Sequence, residues 1–563
     1  MRRLIVFCVL GSSAAMAQVS GPEVAKPAEF GVSDPIYVIA RAQRLNAFTA
    51  QEFREFPVLE IPKPTRALNR FEAGAPNLAA PILAAPALVV PANAPYTQTT
   101  TFQPLGGTVG VNFEALGVGT PGYTIAGAPP DPTLAVSSTQ IVQWVNTQFA
   151  VYDKVGNPLL PAPGFVNGNQ IWAGLPAGSL CRTFNRGDPM VQYDRMANRW
   201  IFSQFAFNAT NTQNAQCIAV STTGDALGTY SLYQYNFGTE LPDYAKLGVW
   251  PDAYYLTYNM FNNAATFSGG RACAYDRAAM IAGNLATQIC FNSTSRFSFL
   301  PSDLDGSTPP PVGAPNYHIS WDWAFKASAP YTMQLTKFVP DFTVPANSTF
   351  DDGFGGGPFS FVGFDLGLTT LASCNDSGGT CVPQFGTSNI LDTLGSRHMY
   401  RLVYRNFGTH DALLFTQAVD TVAGSTADLR WWEIRNPGAN PPVVHQNSTF
   451  RPTGDARWMG SAAFDKLGNI AIGYSASSST INPAIRIAGR RRTDPKNLLR
   501  TEVTVQQGTG SQTGTLRRWG DYTAMQIDPA DDCTFWYTNQ YLATNGSFNW
   551  RTRIVSFKFP NCN

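Results

Sequence analysis

The chain has 563 residues, 44% of them hydrophobic and 12% aromatic but only 14% charged, with a formal net charge of +1. A chain this long buries a sizeable core, whereas its near-balanced charge excludes the basic footprint that nucleic-acid binding needs to displace counterions. Abundant Gly, Pro, Thr, Asn and aromatic residues are what an all-β protein uses for strands and tight turns.

In chain order, Arg2 and Arg3, the apolar run LIVFCVL and the small-residue site Ala15-Met16-Ala17 ahead of Gln18 predict a secretory signal over residues 1–17. That run is too short for a membrane span, and no later stretch approaches the roughly 20 apolar residues a spanning helix requires. A secreted, extracellular or periplasmic location is therefore expected. Residues 18–60 form an N-terminal segment, with one short helix predicted around Arg41 to Phe56 from helical spacing of apolar residues. Residues 61–97 are Pro- and Ala-rich and read as a linker.

From 98 to 563 the pattern is short strands separated by turn clusters. The phrases GDPMVQYDRMANRWIFSQF (187–205), RWMGSAAFDKLGNIAIGYS (457–475) and RWGDYTAMQIDPADDCTFWYTNQY (518–541) share one plan, as stacked or radially arranged β-units do. Seven units are expected to open near Asp131, Asp188, Asp243, Tyr317, His398, Arg457 and Trp519. The predicted fold is an all-β, seven-bladed β-propeller, with six or eight blades as neighbouring counts. Residues 100–115 are expected to close the ring beside 553–559. The stretches at 300–316 and 349–359 read as loops. Their acidic portions, DLDG (303–306) and FDDGFGGG (350–357), are candidates for calcium, with no other cofactor or metal expected. Asp153, Asp194, Asp252, Asp465 and Asp528 are expected at the turn after each inner strand, as architectural residues.

Removing Cys8 with the signal leaves eight cysteines, an even number for an oxidising compartment. Of the 105 possible pairings, strand neighbours suggest Cys181 with Cys217, Cys273 with Cys290, Cys374 with Cys381, and Cys533 with Cys562. The absence of CxxC pairs and of Cys–His clusters argues against zinc.

No HExxH, GxSxG or P-loop is present, which removes the usual support for zinc proteolysis, α/β-hydrolase chemistry and nucleotide hydrolysis. The chemistry is expected where successive units open, because the openings of propeller blades converge on one funnel. Asp188, Asp521 and Tyr522 are the candidate catalytic residues, with one carboxylate raised in pKa beside Trp519 as general acid. Asp243, His398, Arg457, Trp458, Arg518 and Trp519 are the candidate substrate-binding residues. Carboxylates suit acid and base work, aromatic faces suit sugar stacking and Arg suits acidic groups.

PPDPTLAVSSTQIVQWVNTQFAVYDKVGN (129–157), DYAKLGVWPDAYYLTYNMF (243–261) and the phrases at 187 and 518 resemble a widespread group of exported bacterial proteins. The resemblance implies a secreted propeller-like domain and transfers no catalytic residue. Sialidases share that fold class, but their S-x-D-x-G-x-x-W box is absent. The expected function is glycan-directed, either binding or cleavage as a glycoside hydrolase or lyase, by a protein that is monomeric. The alternative is a non-enzymatic platform binding an extracellular macromolecule.

Overall fold

The computed structural model describes residues 21–45, 54–55, 96–125, 127–294, 296–321, 332–355, 362–365, 381–395, 397–419 and 426–563. The expected signal, most of the expected linker and Cys374 lie outside these residues. The fold is all-β. Strands that begin successive sheets are β1 (Thr133–Val136), β2 (Met190–Asp194), β3 (Glu240–Val249), β4 (Leu300–Asp305), β5 (Met399–Asn406), β6 (Ala456–Phe464) and β7 (Ala524–Ile527). Each continues outward as an antiparallel meander. Each of these strands packs against the next, and β7 packs against β1. The β4–β5 contact is a parallel ladder running from Ser302↔Leu402 to Asp305↔Arg405.

Both chain ends complete this arrangement. Thr108–Glu114 pairs antiparallel with Trp550–Lys558, from Arg553↔Glu114 to Lys558↔Thr108, which is the expected closing strand. The N-terminal segment is also integrated: Glu29–Val32 caps the outer edge of the β2 sheet and Glu23–Ala25 that of the β3 sheet. Covering those edges removes unpaired backbone groups that would recruit other chains. A helix lies at Ile36–Leu45, where Ile36, Ile39 and Ala40 are buried; most of the helix expected around Arg41 to Phe56 lies outside the described residues.

The fourth sheet opens at Leu300, not Tyr317. Tyr317 falls on its second strand, Asn316–Trp321, and LPSDLD is an inner strand and not a loop. A run holding two aspartates reads as a turn by composition. It is buried here because Arg401 takes Asp303 at 2.6 Å and Asp305 at 2.7 Å. The same pairing commits the DLDG carboxylates that were calcium candidates. At the second acidic stretch Asp351 and Asp352 accept backbone N–H groups of their own turns, and no group of metal-ligating side chains occurs among the described residues.

The repeated aspartates do tie turns. Asp465 accepts the N–H groups of Leu467 and Asn469, and Asp194 those of Met196 and Ala197. Asp194 also bridges to the third sheet through Tyr254 at 2.9 Å and Arg277 at 2.6 Å. Asp153 is the exception in position: it ends Gln148–Asp153, the third strand of its sheet.

Among the described residues three disulfides are present: Cys181–Cys217, Cys273–Cys290 and Cys533–Cys562. The first ties the short helix Leu180–Thr183 to the strand Asn214–Ser221, and the last ties the chain end to the β7 sheet.

Candidate functional site

The site lies where the first strands begin, and its backbone is unusual there. Asp131 (φ 48°), Asp188 (φ 45°), Tyr244 (φ 56°) and Met459 (φ 51°) are left-handed, one each in or just before β1, β2, β3 and β6. Non-glycine residues rarely adopt this region, and aspartate tolerates it better than most. Ladder irregularities accompany it in β3 between Asp243 and Lys246, in β6 between Trp458 and Ser461, and in β5 between Met399 and Val403. Such irregularities re-aim side chains, and here they bring Asp243, Tyr244 and Lys246 to one mouth although they are near neighbours along one strand.

Asp188 is the centre of the cluster. Its Oδ2 accepts the Tyr522 hydroxyl at 2.8 Å and the Tyr244 N–H at 3.1 Å, and among the described residues its other oxygen has no hydrogen bond. Burial, then the neighbouring Asp521 carboxylate, push its carboxyl up to about 6 against the pull of Tyr522, Lys246 and Arg518. Asp131 accepts the Asp521 N–H at 2.7 Å and is held well above the usual carboxylate range by burial and then by Asp521 and Asp188. Asp243 is raised by burial and then by Asp188 and Asp521. Arg518 donates to Asp521 and is held more strongly protonated by the carboxylates around it, although burial opposes this.

Lys246 is buried, with its Nζ 2.9 Å from the centroid of the Tyr244 ring and 4.0 Å from that of Tyr522. Burial drives its ammonium well below the ordinary lysine range even though Asp188 and Asp521 oppose the shift. The Arg397 guanidinium lies 4.8 Å from the Tyr244 ring on the same mouth. Asp188, Asp243, Arg518 and Asp521 keep part of their surface exposed, whereas Asp131, Lys246, Tyr244, Tyr522 and Arg397 are buried. The mouth is thus a recess faced by three carboxylates and one guanidinium over a buried cationic and aromatic floor. An arrangement of this kind binds hydroxyl groups and exchanges protons with them.

Of the expected site residues, the structure brings Asp188, Asp243, Arg518, Asp521 and Tyr522 together. Four others stand elsewhere or are enclosed. His398 is packed among Trp321, Phe415 and Trp432, with burial holding its imidazole at about 3. Arg457 is fully enclosed and forms a two-pronged ion pair with Glu502, 2.6 and 2.9 Å. Trp458 and Trp519 lie ring to ring at 5.7 Å, both buried, with the Trp519 indole N–H on Ser475. Neither tryptophan presents a stacking face. Of Asp188 and Asp521, Asp188 is the carboxyl that is raised, and Asp521 is ion-paired to Arg518.

Lys246 is not among the residues the sequence singles out, whereas Arg397 is expected at the mouth as the arginine that opens a unit beside His398. Lys246 follows Asp243-Tyr244 within a strand otherwise apolar at its neighbouring positions, and an isolated lysine in an inner strand is the available signal. Arg397 stands immediately before His398, and only the β5 ladder decides which of the two faces the mouth.

No family model matches the sequence, and no curated protein matches it. Among solved structures, the chain is similar to the Dos1 propeller at 9% identity over 78% of this chain and 79% of that one, TM-score 0.34. It is similar to the α-L-arabinanase of Penicillium chrysogenum complexed with arabinobiose at 8% identity over 81% and 100%, TM-score 0.35. It is also similar to an ulvan lyase of polysaccharide lyase family PL25 at 11% identity over 78% and 97%, TM-score 0.32. Likeness at this level leaves the chemistry to be argued from this chain's own residues.

Proposed function

We propose that the seven sheets are the blades of a seven-bladed β-propeller, that the protein is exported, and that its acidic mouth binds a glycan and acts on it by acid–base chemistry. The ring reading is supported by β7 packing back against β1. Export is supported by three disulfides, which persist in oxidising compartments. The observation that carries the functional reading is Asp188: one oxygen is anchored by Tyr522 and Tyr244, the other has no hydrogen bond among the described residues, and the carboxyl titrates at about 6.

A carboxyl at that value is protonated in an appreciable fraction near neutrality and suits a general acid, while an ionised neighbour serves as base or nucleophile. Asp188 takes the acid role. Asp521, oriented by Arg518, takes the second. Tyr522 positions Asp188 from a buried place, and Asp243 and Arg518 hold substrate hydroxyls.

The second reading, an interaction platform without chemistry, draws on the Arg518–Asp521 ion pair, which can serve the fold alone. The discriminating experiment incubates the protein from Gln18 onward with a panel of plant, algal and bacterial polysaccharides. Reducing-end release or formation of unsaturated ends supports the enzymatic reading. Retention on a polysaccharide without cleavage supports a lectin-like use of the same mouth. Neither binding nor cleavage across the panel favours the platform.

A further inference from the structure

The mouth at the opposite end of the inner strands is a cavity of about 670 Å³, within the roughly 300–1,000 Å³ range of small-molecule sites. It is separated from the acidic mouth by a polar plug. Arg401 binds Asp303 and Asp305, Gln192 donates to Asp303 at 2.7 Å, and Gln526 donates to Gln192 at 3.0 Å. Arg397, Arg401 and Arg405, four residues apart on or just before β5, thus serve the first mouth, the plug and the second mouth in turn.

The cations of this second mouth are unequally satisfied. Arg405 is locked onto Asp532 through both terminal nitrogens and also reaches the Phe464 carbonyl. Arg195, which is 13% exposed, has only long contacts: Asp305 at 3.5 Å, the Ile527 carbonyl at 3.4 Å and Asp532 at 3.8 Å. Its Nε is buried without a partner. Both carboxylates near it already serve a better-placed arginine, Arg401 or Arg405. Lys466, at the exposed rim, meets the Asp531 main-chain oxygen at 3.3 Å and, at 2.6 Å, a terminal oxygen of Asn563, while the Asp531 side chain is engaged by Lys558 and by its own turn. A largely buried guanidinium with poor partners on a cavity wall is an arrangement that an oxyanion completes, and the Lys466 ammonium adds positive charge at the rim of the same cavity. Ser307, Thr308, Tyr193 and Phe407 supply hydroxyl and aromatic surface around it.

We propose that this cavity binds a small hydroxylated molecule bearing one oxyanion, a carboxylate or a sulfate ester, with Arg195 and Lys466 as its anchors. The assignment is independent of the reading of the acidic mouth. The test is calorimetric titration of the intact protein with glucuronate, glucose 6-sulfate and, as neutral control, glucose. Saturable binding of glucuronate or of glucose 6-sulfate is expected, the stronger of the two identifying the oxyanion, with no detectable heat from glucose. Arg195→Met is expected to weaken binding at least about tenfold, the loss of one charge-assisted contact. Lys466→Gln provides a second variant at an exposed position that does not depend on the folding of the first, and it is expected to weaken binding several-fold. Asp188→Asn is expected to leave this binding unchanged. No binding of either anionic sugar, equal binding of glucose, or affinities unchanged in both Arg195→Met and Lys466→Gln would overturn the assignment.

Discussion

The Tyr522 hydroxyl donates to Oδ2 of Asp188 at 2.8 Å, joining positions 334 residues apart in the chain. The contact links the opening of the last sheet to that of the second and fixes one oxygen of the carboxyl raised to about 6. Tyr522 is itself buried beneath the mouth, a place from which its hydroxyl holds Asp188 in orientation.

Asp188 combines a left-handed backbone with a raised carboxyl, and substitutions separate the two. Asp188→Asn keeps an acceptor for Tyr522 and a residue type that tolerates φ 45°. Asp188→Ala loses both, at a cost of about 1–2 kcal/mol for the backbone and about 1–3 kcal/mol for the stranded hydroxyl. Denaturant unfolding at about pH 4, where Asp188 is protonated and neutral like asparagine, should therefore rank wild type and the Asn variant together, and the Ala variant at least about 2 kcal/mol lower.

The pH dependence of that comparison has a definite sign. The folded-state value of Asp188, about 6, lies above the unfolded carboxylate value of about 3.9. Its stability contribution is therefore fully present below about pH 4 and is lost as pH rises through about 6. Asparagine does not titrate. Relative to wild type, Asp188→Asn should gain up to about 2 kcal/mol between pH 4 and pH 7. A difference constant over that window would show that the carboxyl is not raised.

Arg401 is the only cation hydrogen-bonded to both Asp303 and Asp305 among the described residues. Arg401→Met leaves two buried carboxylates without their partner, a loss of about 3–5 kcal/mol. Adding Asp303→Asn and Asp305→Asn should recover part of it, since the penalty is uncompensated charge. Urea melts of the single and triple variants measure both terms.

The Cys533–Cys562 disulfide spans 29 residues and should contribute about 3 kcal/mol by restricting the unfolded chain. Cys533→Ser with Cys562→Ser should lower stability by about that amount while leaving the other bridges intact, as thiol labelling followed by mass measurement will show.

The repeat, the strand-rich fold, the closing pair at 108–114 and 550–558 and three cysteine pairings were legible because period-two alternation, turn residues and chain-end logic are local signals. The fourth sheet was misplaced for a physical reason: Asp303 and Asp305 carry turn-like composition, and only Arg401, about 100 positions away, makes their burial tolerable. The site was partly legible. Aspartates opening units do converge, but a one-residue change of direction decides whether Arg397 or His398 faces the mouth. Left-handed residues and ladder irregularities set that direction, and neither leaves a mark in composition.

Asp188 is the proposed acid of a glycan-directed mouth. Its most direct test is the pH–rate profile of wild type, Asp188→Asn and Asp521→Asn on whichever polysaccharide the panel shows to be cleaved. Activity should fall as pH rises through about 6, following the Asp188 carboxyl, and each variant should lose at least about a hundredfold in kcat while remaining folded. Wild-type turnover in Asp188→Asn, with its alkaline limb unmoved, would contradict the assignment.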